Sequence, residues 1–378
     1  MSNLRRCTKC VMPETQETIL FDNKGVCNVC RQIERKHEDI DWKARKEELL
    51  KLTSKYKGKG QYDCIVPYSG GKDSTFQLYY VIKELGLKPL VVCFDHWFFR
   101  PKVLQMREKV QKKLGVDFLN FKPNWHIVKK LMMESLIRKG DFCWHCHVGV
   151  SAYPLRIAVK YKIPLVIYGE STTEYTSYYE YGEEEDVGEK LVNRMGVNLG
   201  ISAEDMAGMI NVDIKELTPF IFPSQKEIRE NNIRAIHLGN YIKWDTRKHS
   251  ELIREKLGWE GDEVEGVPPE YFYEKVECML TGVRDYLKHI KRGFSRATHL
   301  TSIDIRHGRM TRERAMELVK KYEGKRPKSL DYFLKIMNMT EEEFMNIALK
   351  HVIKPHKFDR SKTELGKELW DQHLWYTE

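Results

Sequence analysis

The chain reads as an α/β protein: a parallel sheet with helices on both faces, preceded by a small cysteine-punctuated module and followed by a helical C-terminal region. Three observations carry that reading. Short apolar runs alternate with segments of helical period between residues 63 and 168, the pattern of strand–helix–strand units in a parallel sheet. A glycine turn, Ser69-Gly70-Gly71, joins the first apolar run to the first helical segment. Four cysteines, in two pairs, fall within the first 30 residues.

Taken in order, residues 1–34 are turn-rich and too short to bury a core of their own. Residues 39–56 are charged with apolar positions at helical spacing and predict a surface helix. Lys57-Gly58-Lys59-Gly60 then reads as a linker. Strand 63–68 leads to helix 74–85, strand 89–94 to helix 101–114, and strand 117–121 to helix 125–139. Helix 152–161 and strand 165–168 follow a second cysteine pair. Glu183-Glu184-Glu185-Asp186 reads as a solvent loop, residues 190–230 as mostly helical, and Ile233 to Leu238 as the last strand. The remainder is helical, broken at Pro268-Pro269 and Gly324. The expected units are 1–34, a metal-binding, zinc-ribbon-like module; 35–60, helix and linker; 61–245, the nucleotide domain; and 246–378, a helical substrate or partner region.

With 378 residues, 41% hydrophobic and 31% charged, the composition is globular. No apolar run approaches the roughly 18 residues of a membrane span, and the polar N-terminus lacks an apolar signal region. The expected location is the cytoplasm, where nine cysteines point to ligands or reactive groups rather than disulfides. Residues 284–328 hold 14 Lys/Arg against 5 Asp/Glu, a balance equal to the whole chain's net charge of +9.

Ser69-Gly70-Gly71-Lys72-Asp73-Ser74 is the most informative stretch. The first N–H groups of a helix lack internal partners and carry partial positive charge, so a helix start is an anion site. Glycines let the backbone close on phosphate, Lys72 adds a mobile charge, and Ser69 and Ser74 add hydroxyls. The Walker spacing is absent. The stretch resembles the PP-loop, S-G-G-x-D-S, of the ATP pyrophosphatases (adenine nucleotide α-hydrolase-like enzymes), which cleave ATP between the α and β phosphates. That resemblance implies that ATP binds at Ser69, Gly70, Gly71, Lys72, Asp73 and Ser74, with Lys72, Asp73 and Ser74 as the catalytic group. Asp95, at the end of the second strand, is the candidate for the adenosine, against an ordinary strand-end Asp. Gly169 belongs to the same pocket. Two carboxylates, Asp73 in the loop and Glu170 at a strand end, are the candidates for Mg2+, a hard cation suited to oxygen ligands and phosphate.

Cys7-x2-Cys10 and Cys27-x2-Cys30 have the spacing of a four-thiolate zinc site, with an iron–sulfur cluster as the rival. The second C-x2-C, in Cys143-Trp144-His145-Cys146-His147, has three readings. Its two thiolates could hold a metal with His145 or His147. Cys143, Cys146 and Cys278 could leave one open iron on a cluster, as in tRNA-thiolating PP-loop enzymes. Or the motif is a structural knuckle in which Trp144 packs.

In the basic block, Arg292, Arg296, Arg306, Arg309 and Arg312 are candidates for an acidic substrate, because guanidinium forks pair with carboxylate or phosphate. RNA would also use a basic patch, but aromatic residues for base stacking are sparse (Tyr286, Phe294), which disfavours nucleic acid. Thr311 reads as the N-cap of the helix that follows. Together the paired cysteines, the PP-loop, Tyr168-Gly169-Glu170-Ser171, and the block from Gly293-Phe294-Ser295-Arg296 to Gly308-Arg309-Met310-Thr311-Arg312-Glu313 resemble the N-acetyl sugar amidotransferases of bacterial surface-glycan pathways. The resemblance implies ATP-dependent conversion of an acetamido to an acetamidino group on an acidic or nucleotide-linked sugar, through an O-adenylyl intermediate. Residue 2 is Ser and no cysteine sits in a G-x-C-x-G elbow, so ammonia is expected from a glutamine amidotransferase partner. The alternative is a PP-loop RNA-modifying enzyme carrying an iron–sulfur cluster.

Overall fold

A computed structural model of the chain describes residues 4–169 and 200–367. Five strands form one sheet: β1 Cys64–Pro67, β2 Pro89–Phe94, β3 Asp117–Phe121, β4 Leu165–Tyr168 and β5 Arg234–His237. Their order is β3-β2-β1-β4-β5, and every pair is parallel. The chain begins in the middle, builds outward to β3, then returns to the other side of β1 for β4 and β5. That reversal opens a crevice at the carboxyl ends of β1 and β4, the position where open α/β sheets bind ligands.

Side-chain alternation explains the layers. Cys64, Val66, Val91 and Cys93 point to one face, where they pack with Leu78 and Val81 of α3 (Lys72–Lys83), Val103 and Val110 of α4 (Pro101–Leu114), and Ile253 of the helix Thr246–Leu257. Ile65, Leu90, Val92 and Val166 point to the other face and meet Leu155, Ile157 and Ala158 of α6 (Trp144–Tyr161). Both faces are covered, so the strands are continuously apolar rather than alternating.

Strands β2 and β3, helix α4 and helix α5 (Trp125–Lys139) fall on the residues expected from the sequence. Two regions differ. The helix expected over 39–56 is present as α2 (Trp42–Ser54), but a second helix, α1 (Asn28–Asp39), precedes it where the sequence reads as turn-rich. Asp41 interrupts them because its carboxylate caps α2, accepting from the Lys43 and Ala44 N–H groups at 3.0 Å. Helix α6 begins at Trp144, not near residue 152, so it includes the second cysteine pair. Burial of Trp144 and Val148 against Leu131 and Phe220 rewards the extra turns. The solvent loop expected at 183–186, and residues 190–199 of the helical stretch, lie outside the described residues.

Beyond the sheet, helices Thr281–Arg292, Ser329–Met337 and Glu341–Leu349 share a second core with α5, built on Val128, Leu136, Leu287, Ile290, Phe333 and Phe344. Thr311 caps the helix Arg312–Tyr322, accepting from the Arg314 N–H at 3.2 Å. The N-terminal module packs on this region through Phe294, which is fully buried among Met12, Val29 and Ile33. No helix among the described residues is long and apolar enough to cross a membrane.

Candidate functional site

Strand β1 runs straight into the loop Ser69-Gly70-Gly71 and then into α3, whose N-cap is Gly71. The loop is tight. The Ser74 hydroxyl accepts from the N–H groups of Ser69 and Gly70, both at 3.2 Å, and the Ser69 hydroxyl accepts from Gly71 N–H at 3.3 Å. Hydroxyl oxygens thus hold the donors that phosphate oxygens would take. Gly70 requires its glycine: its φ is +92°, and a Cβ there would stand 2.3 Å from the Arg107 side chain. Trp259, fully buried, donates its indole N–H to the Gly70 carbonyl at 3.0 Å.

Lys72 is 3% exposed. Its ammonium lies 2.6 Å from Asp73 Oδ2 and 3.2 Å from Glu274 Oε1. Sequence reasoning missed Glu274, and also Glu277, whose carboxylate presses on Gly71 so closely that a Cβ there would lie 1.8 Å from its oxygen. Neither residue belongs to a motif near the loop; both come from a segment some 200 positions later that folds back over it. The only signal was two acidic residues just ahead of the basic block.

Asp95 does sit at the end of β2, buried, but it is engaged locally. Its Oδ1 accepts from Trp97 N–H at 2.8 Å and its Oδ2 lies 3.8 Å from the Lys122 ammonium. Burial pulls the neighbouring His96 imidazole down to about 4 although Asp95 and Glu277 oppose it, so a neutral ring lines this edge. Gly169 ends β4 beside α3: a Cβ on it would lie 3.0 Å from Gln77 Oε1 and 3.8 Å from the Asp73 carbonyl oxygen. The loop, Asp73 and Gly169 therefore share one crevice. Glu170, the other magnesium candidate, lies outside the described residues.

Cys7, Cys10, Cys27 and Cys30 are all buried, and their four sulfurs lie within 4.8 Å of one another. Cys10 Sγ and Cys27 Sγ are 3.8 Å apart, which is the edge of a tetrahedron whose metal–sulfur distance is about 2.3 Å. Backbone N–H groups of Cys10 and Cys27 point at Cys7 Sγ, at 3.4 and 3.2 Å, and that of Cys30 at Cys27 Sγ, at 3.4 Å. This donor set suits one tetrahedral ion. An iron–sulfur cubane, which takes one cysteine at each corner, needs its sulfurs farther apart.

The basic block is tied into the fold. Each of its five candidate arginines is engaged by the chain itself. Arg306 donates to Cys30 Sγ at 3.4 Å and Cys10 Sγ at 3.6 Å, and Arg312 donates to the carbonyls of Cys7 and Cys10 at 3.3 Å. Arg292 donates to the Thr15 carbonyl at 2.5 Å and pairs with Glu17. Arg296 forks onto Asp285 at 3.2 and 3.1 Å, and Arg309 bridges Asp304 and Asp245 at 2.7 and 3.0 Å. Burial alone would lower the pKa of Arg306, yet the thiolates of Cys10, Cys30 and Cys27 outweigh it and hold it charged. The Arg306 guanidinium, donating to two of the sulfurs, is the kind of outer partner that a thiolate site needs.

Cys143, Cys146 and Cys278 do come together. Cys143 caps α6, Cys146 stands on its first turn, and Cys278 is fixed by a bridge to Phe99, just past β2. Burial raises all three thiols, Cys146 and Cys278 up to about 12, and the charges of the neighbouring cysteines add to the rise in Cys143 and Cys146. Among the described residues, the N-terminal four are nevertheless the one group with three or more donors all within 4.8 Å. The packing role of Trp144 is real: it is fully buried, and its indole N–H donates to the Ile201 carbonyl at 3.1 Å.

Residues 269–371 match the family model for the LPS biosynthesis protein WbpG-like, C-terminal domain. Over 143 residues the chain is 25% identical to the uncharacterized protein MJ1599 of Methanocaldococcus jannaschii; the match covers 37% of this chain and half the length of that curated relative. Two solved structures are similar: the U34-tRNA thiolase NcsA from Methanococcus maripaludis with its 4Fe-4S cluster, and an NMN synthetase from Francisella tularensis. The first is 16% identical, with 83% of this chain and 88% of that chain covered and a TM-score of 0.32. The second is 12% identical, with 61% and 99% covered and a TM-score of 0.28. The nest and the parallel sheet beneath it make a strand–glycine turn–helix site of PP-loop sequence, built to take an anion. Glu274 and Glu277, which reach the PP-loop, lie within the segment that matches the WbpG-like C-terminal domain model.

The buried triad predicts an asymmetry between stability and activity. Lys72→Met strands the Glu274 and Asp73 carboxylates and should destabilise the fold by about 3–5 kcal/mol in urea unfolding. Adding Glu274→Gln should recover part of that loss without restoring ATP turnover. A double variant that turned over ATP at the wild-type rate would show that Lys72 serves the fold alone.

Proposed function

We propose that this chain is an ATP-dependent amidotransferase that converts an acetamido group of an acidic or nucleotide-linked sugar into an acetamidino group, in the biosynthesis of a bacterial surface glycan. The observation that carries the reading is the contact between a WbpG-like domain and the PP-loop lysine, because it joins a glycan-pathway domain to a site fit for triphosphate. An amide oxygen is a very poor leaving group, so the amide must first be activated. Its oxygen attacks the α phosphorus of ATP, the bond to the bridging oxygen breaks, and pyrophosphate leaves. Ammonia then adds to the imidate carbon, the carbon–oxygen bond breaks, and AMP departs. The α3 N-terminus and Lys72 offset the charge that builds on the departing pyrophosphate. Asp73, with Glu170, would hold magnesium, which supplies further positive charge there. Asp95 and Gly169 border the nucleoside end of the crevice. Ammonia is drawn from a separate glutaminase subunit.

Zinc is the ion proposed for Cys7, Cys10, Cys27 and Cys30, in a closed structural site. A second reading, an RNA-modifying enzyme with an iron–sulfur cluster, is favoured by one observation, the convergence of Cys143, Cys146 and Cys278.

Mass spectrometry of candidate sugars incubated with ATP and an ammonium salt should show one oxygen replaced by NH, with AMP formed in step. Turnover stimulated by tRNA and not by any acetamido sugar would favour the second reading. For the metal, Arg306→Ala should release zinc to a chelator roughly 10–100-fold faster, the usual effect of losing an outer-shell partner. Arg314→Ala, in an exposed part of the same block, should leave release unchanged; equal release from both would remove Arg306 from the site.

A further inference from the structure

Arg107 stands directly behind the PP-loop. It lies on α4 and is 5% exposed. Its aliphatic stem fills the space where Gly70 has no side chain, with Cγ and Cδ 2.3 and 2.8 Å from the position of a Cβ. Its guanidinium is sandwiched between Phe99 and Phe118, 4.7 and 5.1 Å from the ring centres. Nη2 donates to Asn120 Oδ1 at 3.0 Å. Nε and Nη1 are buried and make no hydrogen bond to an oxygen, the Cys93 thiol being the guanidinium's other polar neighbour, and no carboxylate among the described residues forms an ion pair with it.

The contrast with Arg100 is informative. Arg100 is just as buried and precedes the same helix, yet it pairs with Asp262 at 2.9 Å and donates to the Glu263 carbonyl at 2.9 Å. The fold can therefore supply a carboxylate to a buried arginine here, and Arg107 has none. A buried cation without a counter-ion is costly, and two aromatic faces offset that cost only in part. The balancing anion has a place to sit, since the stem that carries the guanidinium packs against Gly70, and the loop beyond it is a nest of N–H donors at a helix start.

We propose that Arg107 is a positioning residue whose buried charge is balanced by the phosphates of the nucleotide in the PP-loop. It acts through the field across Gly70, in a low-dielectric interior where a single charge is felt strongly, and not by touching the ligand. The inference rests on the reading that ATP binds at this loop.

The test is the ratio of ATP affinity to adenosine affinity, measured by calorimetry on the full chain for wild type, Arg107→Met and Arg107→Lys. Methionine keeps the stem volume against Gly70 and removes the charge. The ratio should fall roughly tenfold or more in Arg107→Met and stay near wild type in Arg107→Lys, which keeps the charge. The nucleotide-free Arg107→Met protein should melt no lower than wild type, because an uncompensated charge has been removed. An unchanged ratio in Arg107→Met, whatever its melting temperature, would assign Arg107 to packing and overturn the proposal while leaving ATP binding intact. A wild-type chain that binds adenosine and ATP equally would overturn both.

Discussion

A helix that starts directly after a strand leaves its first N–H groups without partners, and in this chain that start is α3. The neighbourhood is arranged around that deficit. The strand order turns back on itself between β1 and β4, so the loop after β1 and Gly169 after β4 face one crevice. Serine hydroxyls hold the loop's donors in place. Trp259 pins the Gly70 carbonyl, and Glu274 pins Lys72. Behind the glycines, Arg107 is buried with no carboxylate paired to it among the described residues, an arrangement that an anion in the loop would ease.

The two ends of the chain meet for a related electrostatic reason. Four clustered cysteine sulfurs, once ionised to hold a metal, would carry excess negative charge, and burying it requires cations close by. Arg306 and Arg312 come from a helix end and the following helix start, and they reach the sulfurs and carbonyls of the N-terminal module. The local excess of positive charge between residues 284 and 328 therefore has acidic partners inside the molecule: the cysteines, Glu17, Asp285, Asp304 and Asp245. The module is thereby tied to the same domain that sends Glu274 and Glu277 over the PP-loop.

What the sequence made legible follows from how local each signal is. The PP-loop is contiguous, and its strand–turn–helix context is encoded in the same dozen residues, so its local geometry could be named in advance. The cysteine pairs are likewise local, and their spacing predicted that the four sulfurs converge. The intramolecular partners of the five arginines were not legible, because charge content says nothing about partners. Glu17 and Asp245 lie dozens to hundreds of positions away, and only the fold brings them near. Glu274, Glu277 and Arg107 were invisible for the same reason. The start of α6 was missed because burial of Trp144 outweighs the weak helical signal of a cysteine- and histidine-rich turn.

The central claim is that the loop holds ATP so that its α phosphorus is attacked by an amide oxygen. Exchange of radiolabelled pyrophosphate into ATP, without ammonia, tests it most directly, because the adenylylated sugar forms and reverts while the second step is blocked. The account predicts exchange that depends on the acetamido sugar and disappears in Lys72→Met. Release of ADP and inorganic phosphate instead, with no label entering ATP, would contradict it.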